Sequence, residues 1–87
     1  METRVAVMSI IVEEPESVER LNAHLHDYRS YIIGRMGIPY RGSGGAISII
    51  SIAIDAPQDT ISALAGKIGK LPGVSVKTAY SSVIGHG

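Results

Sequence analysis

Histidines and charged side chains are the groups in this chain with the means to do chemistry, since it has no cysteine. His24 and His26 form a His-x-His pair, and His86 is the third histidine. On a helix, residues i and i+2 point to nearly opposite sides, so this pair chelates one ion only if the helix has already ended. They read as surface or interface histidines, and no cofactor is expected. The weak alternative is a metal shared between subunits through His24, His26 and His86. Imidazole and carboxylate donors would then select zinc, nickel, copper or iron. Without thiols, disulfides, iron–sulfur ligation and thiolate zinc sites are excluded.

The charges are segregated along the chain. Glu13, Glu14, Glu16 and Glu19 crowd the first expected strand–helix junction, while Arg29, Arg35 and Arg41 lie in a stretch with no acid after Asp27. The plain reading is two solvated faces of opposite sign. Gly42-Ser43-Gly44-Gly45 could cradle a phosphate, but it lacks the order G-x-x-x-x-G-K-S/T and reads as a hairpin tip. Gly66 and Gly69 fall inside a helical pattern, at a cost of about 1 kcal/mol each relative to alanine. Close packing explains such glycines most simply, and a ligand or partner backbone is the alternative. Serines are plentiful, yet no nucleophile elbow, acid–base pair or metal box accompanies them, so the chain reads as non-enzymatic. It lacks the glycine-rich first loop with arginine of an acylphosphatase and the CxxC of a metal chaperone. With no Phe or Trp, it also lacks the aromatic strands of an RNA-recognition module.

The elements that must position these groups come in two similar halves. Ile10-Ile11-Val12-Glu13-Glu14-Pro15 reappears as Ile52-Ala53-Ile54-Asp55-Ala56-Pro57: a β-branched run, an acid, then a proline opening a helical pattern. Residues 4–12 read as the first strand, with Val5, Val7 and Ile11 on one side and Ala6, Met8, Ile10 and Val12 on the other. Pro15 suits the first turn of a helix running to about His26, with Val18, Leu21 and Leu25 as its stripe. Residues 28–38 read as a second strand broken at Gly34, and 39–45 as a hairpin connection. Residues 46–54 read as the third strand. The second helix starts near Pro57 and buries Ile61, Leu64, Ala65, Ile68 and Leu71, and Pro72-Gly73 ends it. Residues 74–80 read as the fourth strand and 81–87 as a C-terminal tail. The order β-α-β twice predicts one α+β domain over residues 1–80. Its expected form is a ferredoxin-like βαββαβ sandwich: a four-stranded antiparallel sheet with two helices on one face.

The first and third strands are apolar on both sides. A face left open to water should be polar at every second residue, so the second face is expected to be covered, most simply by another copy of the chain. At 87 residues the core is only just sufficient, which also favours a dimer or tetramer. The eight cations are matched by eight acids, which argues against direct nucleic-acid binding. No run approaches the ~20 apolar residues of a membrane span, and the start lacks a secretory pattern, so a cytoplasmic protein without membrane contact is expected.

Two segments resemble a known family. Residues 59–78, DTISALAGKIGKLPGVSVKT, look like the signature of the iron-only hydrogenase system regulators. Residues 32–39, IIGRMGIP, resemble the second-strand motif of that family. With Leu25-His26-Asp27-Tyr28 the similarity covers nearly the whole chain. The resemblance implies a regulatory role tied to that system by gene association. It also implies a fold similar to ACT domains and to the C-terminal domain of nickel-responsive repressors, which bind amino acids or metal between subunits. The repressors' ribbon–helix–helix is absent ahead of the first strand, and Ile38-Pro39-Tyr40 stands where their ligands would be. Nickel sensing of that kind is therefore not expected.

In ACT-like assemblies ligands sit where the first strand–helix loop of one chain meets a neighbour. Carried to this chain, the resemblance implies an effector site at Glu13 and Glu14, suited to a cation or amine. Arg35 and Tyr40 would orient an anionic end, and Gly37 and Gly66 would let backbone approach. The simpler reading is that the acids only favour the helix dipole. The functional expectation is an oligomeric regulatory domain that binds a small effector at a subunit interface. The alternatives are a metal-binding or metal-delivery module for hydrogenase assembly and a purely structural interaction domain.

Overall fold

Alternation along the strands decides which side of the sheet each residue serves. In the computed structural model, which describes residues 2–86, the chain runs β1 (Glu2–Val12), α1 (Val18–Asp27), β2 (Ile32–Gly42), β3 (Gly45–Ala56), α2 (Gln58–Gly69) and β4 (Val74–His86). The four strands form one antiparallel sheet in the order β2-β3-β1-β4, with both helices on one face. This is the ferredoxin-like arrangement. Met8 pairs with Ile52 and Ile10 with Ile50, so the even-numbered residues of the two central strands share the helix-covered side. Ala6, Met8, Ile10, Val12, Ile50, Ile52, Ile54 and Ala56 are all buried there, against Leu21 and Leu25 of α1 and Ile61, Leu64 and Ile68 of α2.

Element boundaries differ from the sequence reading at four places, each for a physical reason. Pro15–Ser17 forms a 3-10 turn and α1 starts only at Val18. The Glu14 carbonyl accepts the Ser17 N–H at 3.0 Å, and the buried Ser17 hydroxyl donates to the Pro72 carbonyl at 2.6 Å. Tyr28 does not begin a strand: its N–H donates to the His24 carbonyl, and a 3-10 turn over Arg29–Tyr31 carries the helix end onward. β2 then starts at Ile32, and the break expected at Gly34 is a shift of register between Ile32 and Gly34.

β2 also continues through Pro39 to Gly42, because an edge strand has no ladder partner on its outer side for the missing N–H to deprive. The hairpin is therefore tight, with Gly42 paired to Gly45 across Ser43-Gly44. β4, finally, runs past Tyr80, where a tail was expected, and continues against β1 as far as His86. Its register shifts between Arg4 and Ala6. There the Arg4 guanidinium donates to the Ser81 carbonyl at 3.1 Å and sits 5.1 Å from the centre of the Tyr80 ring. Gly87 lies outside the described residues.

The β1–α1 junction and the turn from α2 into β4 are tied at one end of the sheet. Glu13 donates its N–H to the Gly73 carbonyl at 2.8 Å. Gly73 has φ +69°, and a Cβ there would stand 2.7 Å from Cγ of Glu14, so only glycine fits. Among the described residues, no helix is long and apolar enough to cross a membrane.

Candidate functional site

The uncovered side of the sheet carries rows of side chains fixed by strand register. Ile11 of β1 pairs with Ile49 of β3, and Ile49 pairs with Ile38 of β2, which makes a row of three isoleucines. Ser9, Ser51 and Met36 form the next row, flanked by Lys77 of β4. Val7 and Ala53 follow. Val7, Ile11, Met36, Ile38, Tyr40 and Ile49 are between 41% and 59% exposed. Six half-exposed apolar side chains sharing one open face, with the Ser9–Ser51–Lys77 row crossing it, are a feature to be explained rather than stray surface residues.

Arg35 lies on the other side of β2, opposite Ile52, and donates to Asn22 Oδ1 of α1 at 2.7 Å. This bond latches the edge strand to the helix and leaves a depression on each side of it. One, of about 270 Å³, is lined by Val18 of α1, Arg35, Gly37 and Pro39 of β2, and Ser48 and Ile50 of β3. Ile38 and Ile49 of the open face reach its rim. The other, of about 350 Å³, lies further along α1 between Asn22, Leu25, His26 and Arg29, with Ile32 and Arg35 of β2 across from them.

The structure brings Arg35 and Gly37 into the same cleft. Glu13 and Glu14 stand at its end of the sheet, since Val12 pairs with Ser48 and Ser48 with Pro39. Val18, one helical turn past Glu14, lines the cleft itself. Tyr40 is not with them. It pairs with Ile47 on the open face, and its ring lies over Gly42. Gly66 is on the exposed side of α2, with open space where a Cβ would be; Gly37, in the cleft, has the same open space. Next to Gly66, the Lys67 ammonium sits 5.1 Å from the centre of the Tyr28 ring, at the far end of α1 from the glutamates.

The histidines are spread out. His24 is half-buried, His26 lines the larger depression, and the His86 backbone pairs with Glu2 at the far end of the sheet. The His86 side chain lies outside the described residues. Among the described residues, no three histidine or carboxylate groups are placed to hold a metal. Two residues escaped the sequence reading. Ser17 fastens the first junction, and Asn22 anchors Arg35. The signal for the second was present, because Asn22 and His26 are spaced i, i+4 on one helical face and Arg29 follows at i+7 in the turn that prolongs it.

An antiparallel sheet of this order under two helices, with an open apolar face and an arginine-lined edge, defines the class: a ferredoxin-like α+β domain of the ACT-like kind. Solved structures bear this out at the level of fold. The ACT domain of GTP pyrophosphokinase from Chlorobium tepidum superposes with TM-score 0.58 at 16% identity, over 98% of this chain and 93% of that one. CPII from Thiomonas intermedia K12, solved with ADP, AMP and acetate, superposes with TM-score 0.57 at 18% identity, over 95% and 93%. A comparison with curated proteins finds no match. The uncharacterized protein TM1266 from Thermotoga maritima is 34% identical, with TM-score 0.83 over 90% of this chain and 96% of that one. Residues 4–78 match the TM1266-like family model, described as iron-only hydrogenase system regulator, and the chain belongs to that family.

Proposed function

We propose that this chain is a non-enzymatic regulatory domain of the iron-only hydrogenase system. It associates with itself through the open sheet face and takes up a small effector where the copies meet. The observation that carries the reading is the shared edge between the face and the cleft. Ile38 and Ile49 belong to the apolar row and also rim the depression that holds Arg35 and Gly37. A second copy seated on the face would wall that cleft and convert an open depression into an enclosed one. Burying the isoleucine row and completing the ligand site would then be one event. Binding would be linked to assembly, as a regulator requires.

Within such a site each group has a task. Arg35 is held by Asn22 and meets an anionic end of the effector, while Glu13 and Glu14 meet an amine or cation. Gly37, with no side chain, lets the effector lie against the strand. Tyr40 and Gly66 face away from the cleft of their own chain and would reach the effector only from a neighbour. The test is thermal melting of the protein against amino acids and divalent ions, because a ligand of the native state raises the midpoint by mass action. The expected result is a rise with one class of amine-bearing effector, lost in Glu13→Ala and in Arg35→Ala. If a ligand is found and both variants bind it unchanged, the site assignment fails. Metal uptake that depends on His24 and His26 would instead support a metal-delivery module.

A further inference from the structure

The larger depression differs in chemistry from the cleft beside it. Its floor is apolar, with Leu25 buried and Ile32 half-buried. Its rim is wholly polar: Asn22, His26 and Arg29 from one side, Arg35 from the other. None of the lining residues is an acid, and Glu19, one turn before Asn22, stands outside it. Both guanidiniums are held in place. Arg29 donates to the His26 carbonyl at 2.8 Å and Arg35 to Asn22 Oδ1 at 2.7 Å. A guanidinium has five N–H donors, so each keeps donors for something else. With its oxygen on Arg35, Asn22, which also lines the groove, keeps its amide N–H₂ as a further donor.

We propose that this groove is a binding site for a small, doubly charged oxyanion attached to a compact apolar body. Two like charges on one cavity raise each other's energy, and a dianion between them removes that cost. The C-terminal end of α1 carries about half a negative charge, which supports the arginines without cancelling two full charges. Arginine recognises phosphate and carboxylate through paired N–H donors, and the groove presents two such forks over an apolar floor. Its volume, about 350 Å³, is at the small end of ligand sites, enough for a phosphate ester or dicarboxylate of modest size and too small for a polymer. The site is complete within one chain, so it goes beyond the intersubunit cleft and does not depend on assembly.

The test is calorimetric titration of the full chain with inorganic phosphate, phenyl phosphate and succinate, with NMR following the Asn22 side-chain amide and the arginine Nε–H signals. The ring of phenyl phosphate should lie on Leu25 and Ile32 and bind about tenfold tighter than phosphate alone. Arg29→Gln and Arg35→Gln should each weaken binding about tenfold or more, while Arg41→Gln, outside the groove, should not. Preference for phenyl phosphate identifies a phosphate ester as the ligand, and preference for succinate a dicarboxylate. Either outcome supports the groove. Should Arg35→Gln perturb the fold by releasing Asn22, Arg29→Gln alone carries the test. Ile49→Arg, which breaks the proposed assembly, should leave the titration unchanged. Binding that disappears in Ile49→Arg would place the site between subunits and overturn this proposal. So would equal weakening in all three arginine variants, or no binding of any probe by about 10 mM.

Discussion

Replacing Ile49 by arginine separates the two faces of the sheet in a single experiment. Full burial of a Val, Ile or Met side chain contributes roughly 1.5–3 kcal/mol. Val7, Ile11, Met36, Ile38 and Ile49 remain 41–59% exposed, so each keeps about half of that in reserve, ~1 kcal/mol. Two copies of the face would then recover on the order of 10 kcal/mol, with Tyr40 adding to it, against an association cost of about 4–15 kcal/mol. The dimer this predicts is of micromolar affinity or weaker, visible by light scattering at ~100 µM chain. In a symmetric pair, Ile49→Arg removes that gain twice. It also forces two unpaired guanidiniums into an apolar interface, so that even ~4 kcal/mol of loss weakens association about a thousandfold. The variant should be a folded monomer, since Ile49 points away from the core. Ile50→Arg serves as the contrast: Ile50 is 5% exposed beneath the helices, and arginine there should unfold the chain. Wild-type protein that stays monomeric at ~100 µM, or Ile49→Arg that stays as associated as wild type, would rule out assembly through this face.

Further predictions concern single positions. Gly66→Ala, on an exposed helical site with open space for a Cβ, should stabilise the fold by about 0.5–1 kcal/mol and raise the melting midpoint by several degrees. A lower midpoint would show that something packs there. Thr3 is buried and among the described residues its hydroxyl has no hydrogen-bond partner, so the isosteric Thr3→Val should gain about 1 kcal/mol in urea unfolding. A loss would mean that the hydroxyl is bonded. Gly73→Ala should cost about 1–2 kcal/mol through its positive φ, and more through the clash with Glu14. An unchanged denaturation midpoint would contradict that geometry. Gel-shift titration at nanomolar protein and physiological salt should show no sequence-selective binding of duplex DNA, because eight cations face eight acids. A selective shift with steep salt dependence would overturn it.

The parts of the fold legible in the sequence are those where side-chain period and burial coincide. β1 and β3 declare themselves by apolar residues on both faces, and α1 and α2 by the stripes through Leu21 and Leu25 and through Ile61, Leu64 and Ile68. The end of β4 was not legible. Ser81 and Ser82 interrupt the alternation, and what prolongs the strand is backbone pairing to β1, which leaves no side-chain pattern. The start of β2 was hidden for the opposite reason: Tyr28 and Tyr31 favour strand, but the end of α1 runs on through a 3-10 turn before pairing begins. In the cleft, Arg35 stood out by its charge. Asn22, a neutral amide, left no mark on the charge pattern, and only its spacing from His26 and Arg29 gives it away.

Native mass spectrometry of the protein purified from its own host reads both assembly and effector binding. That measurement reports stoichiometry and retained ligand together. The expected result is an even-numbered assembly carrying a small-molecule mass beyond the chain masses, released as the assembly is broken by Ile49→Arg. A bare monomer, at a concentration where the apolar face should be paired, would contradict it.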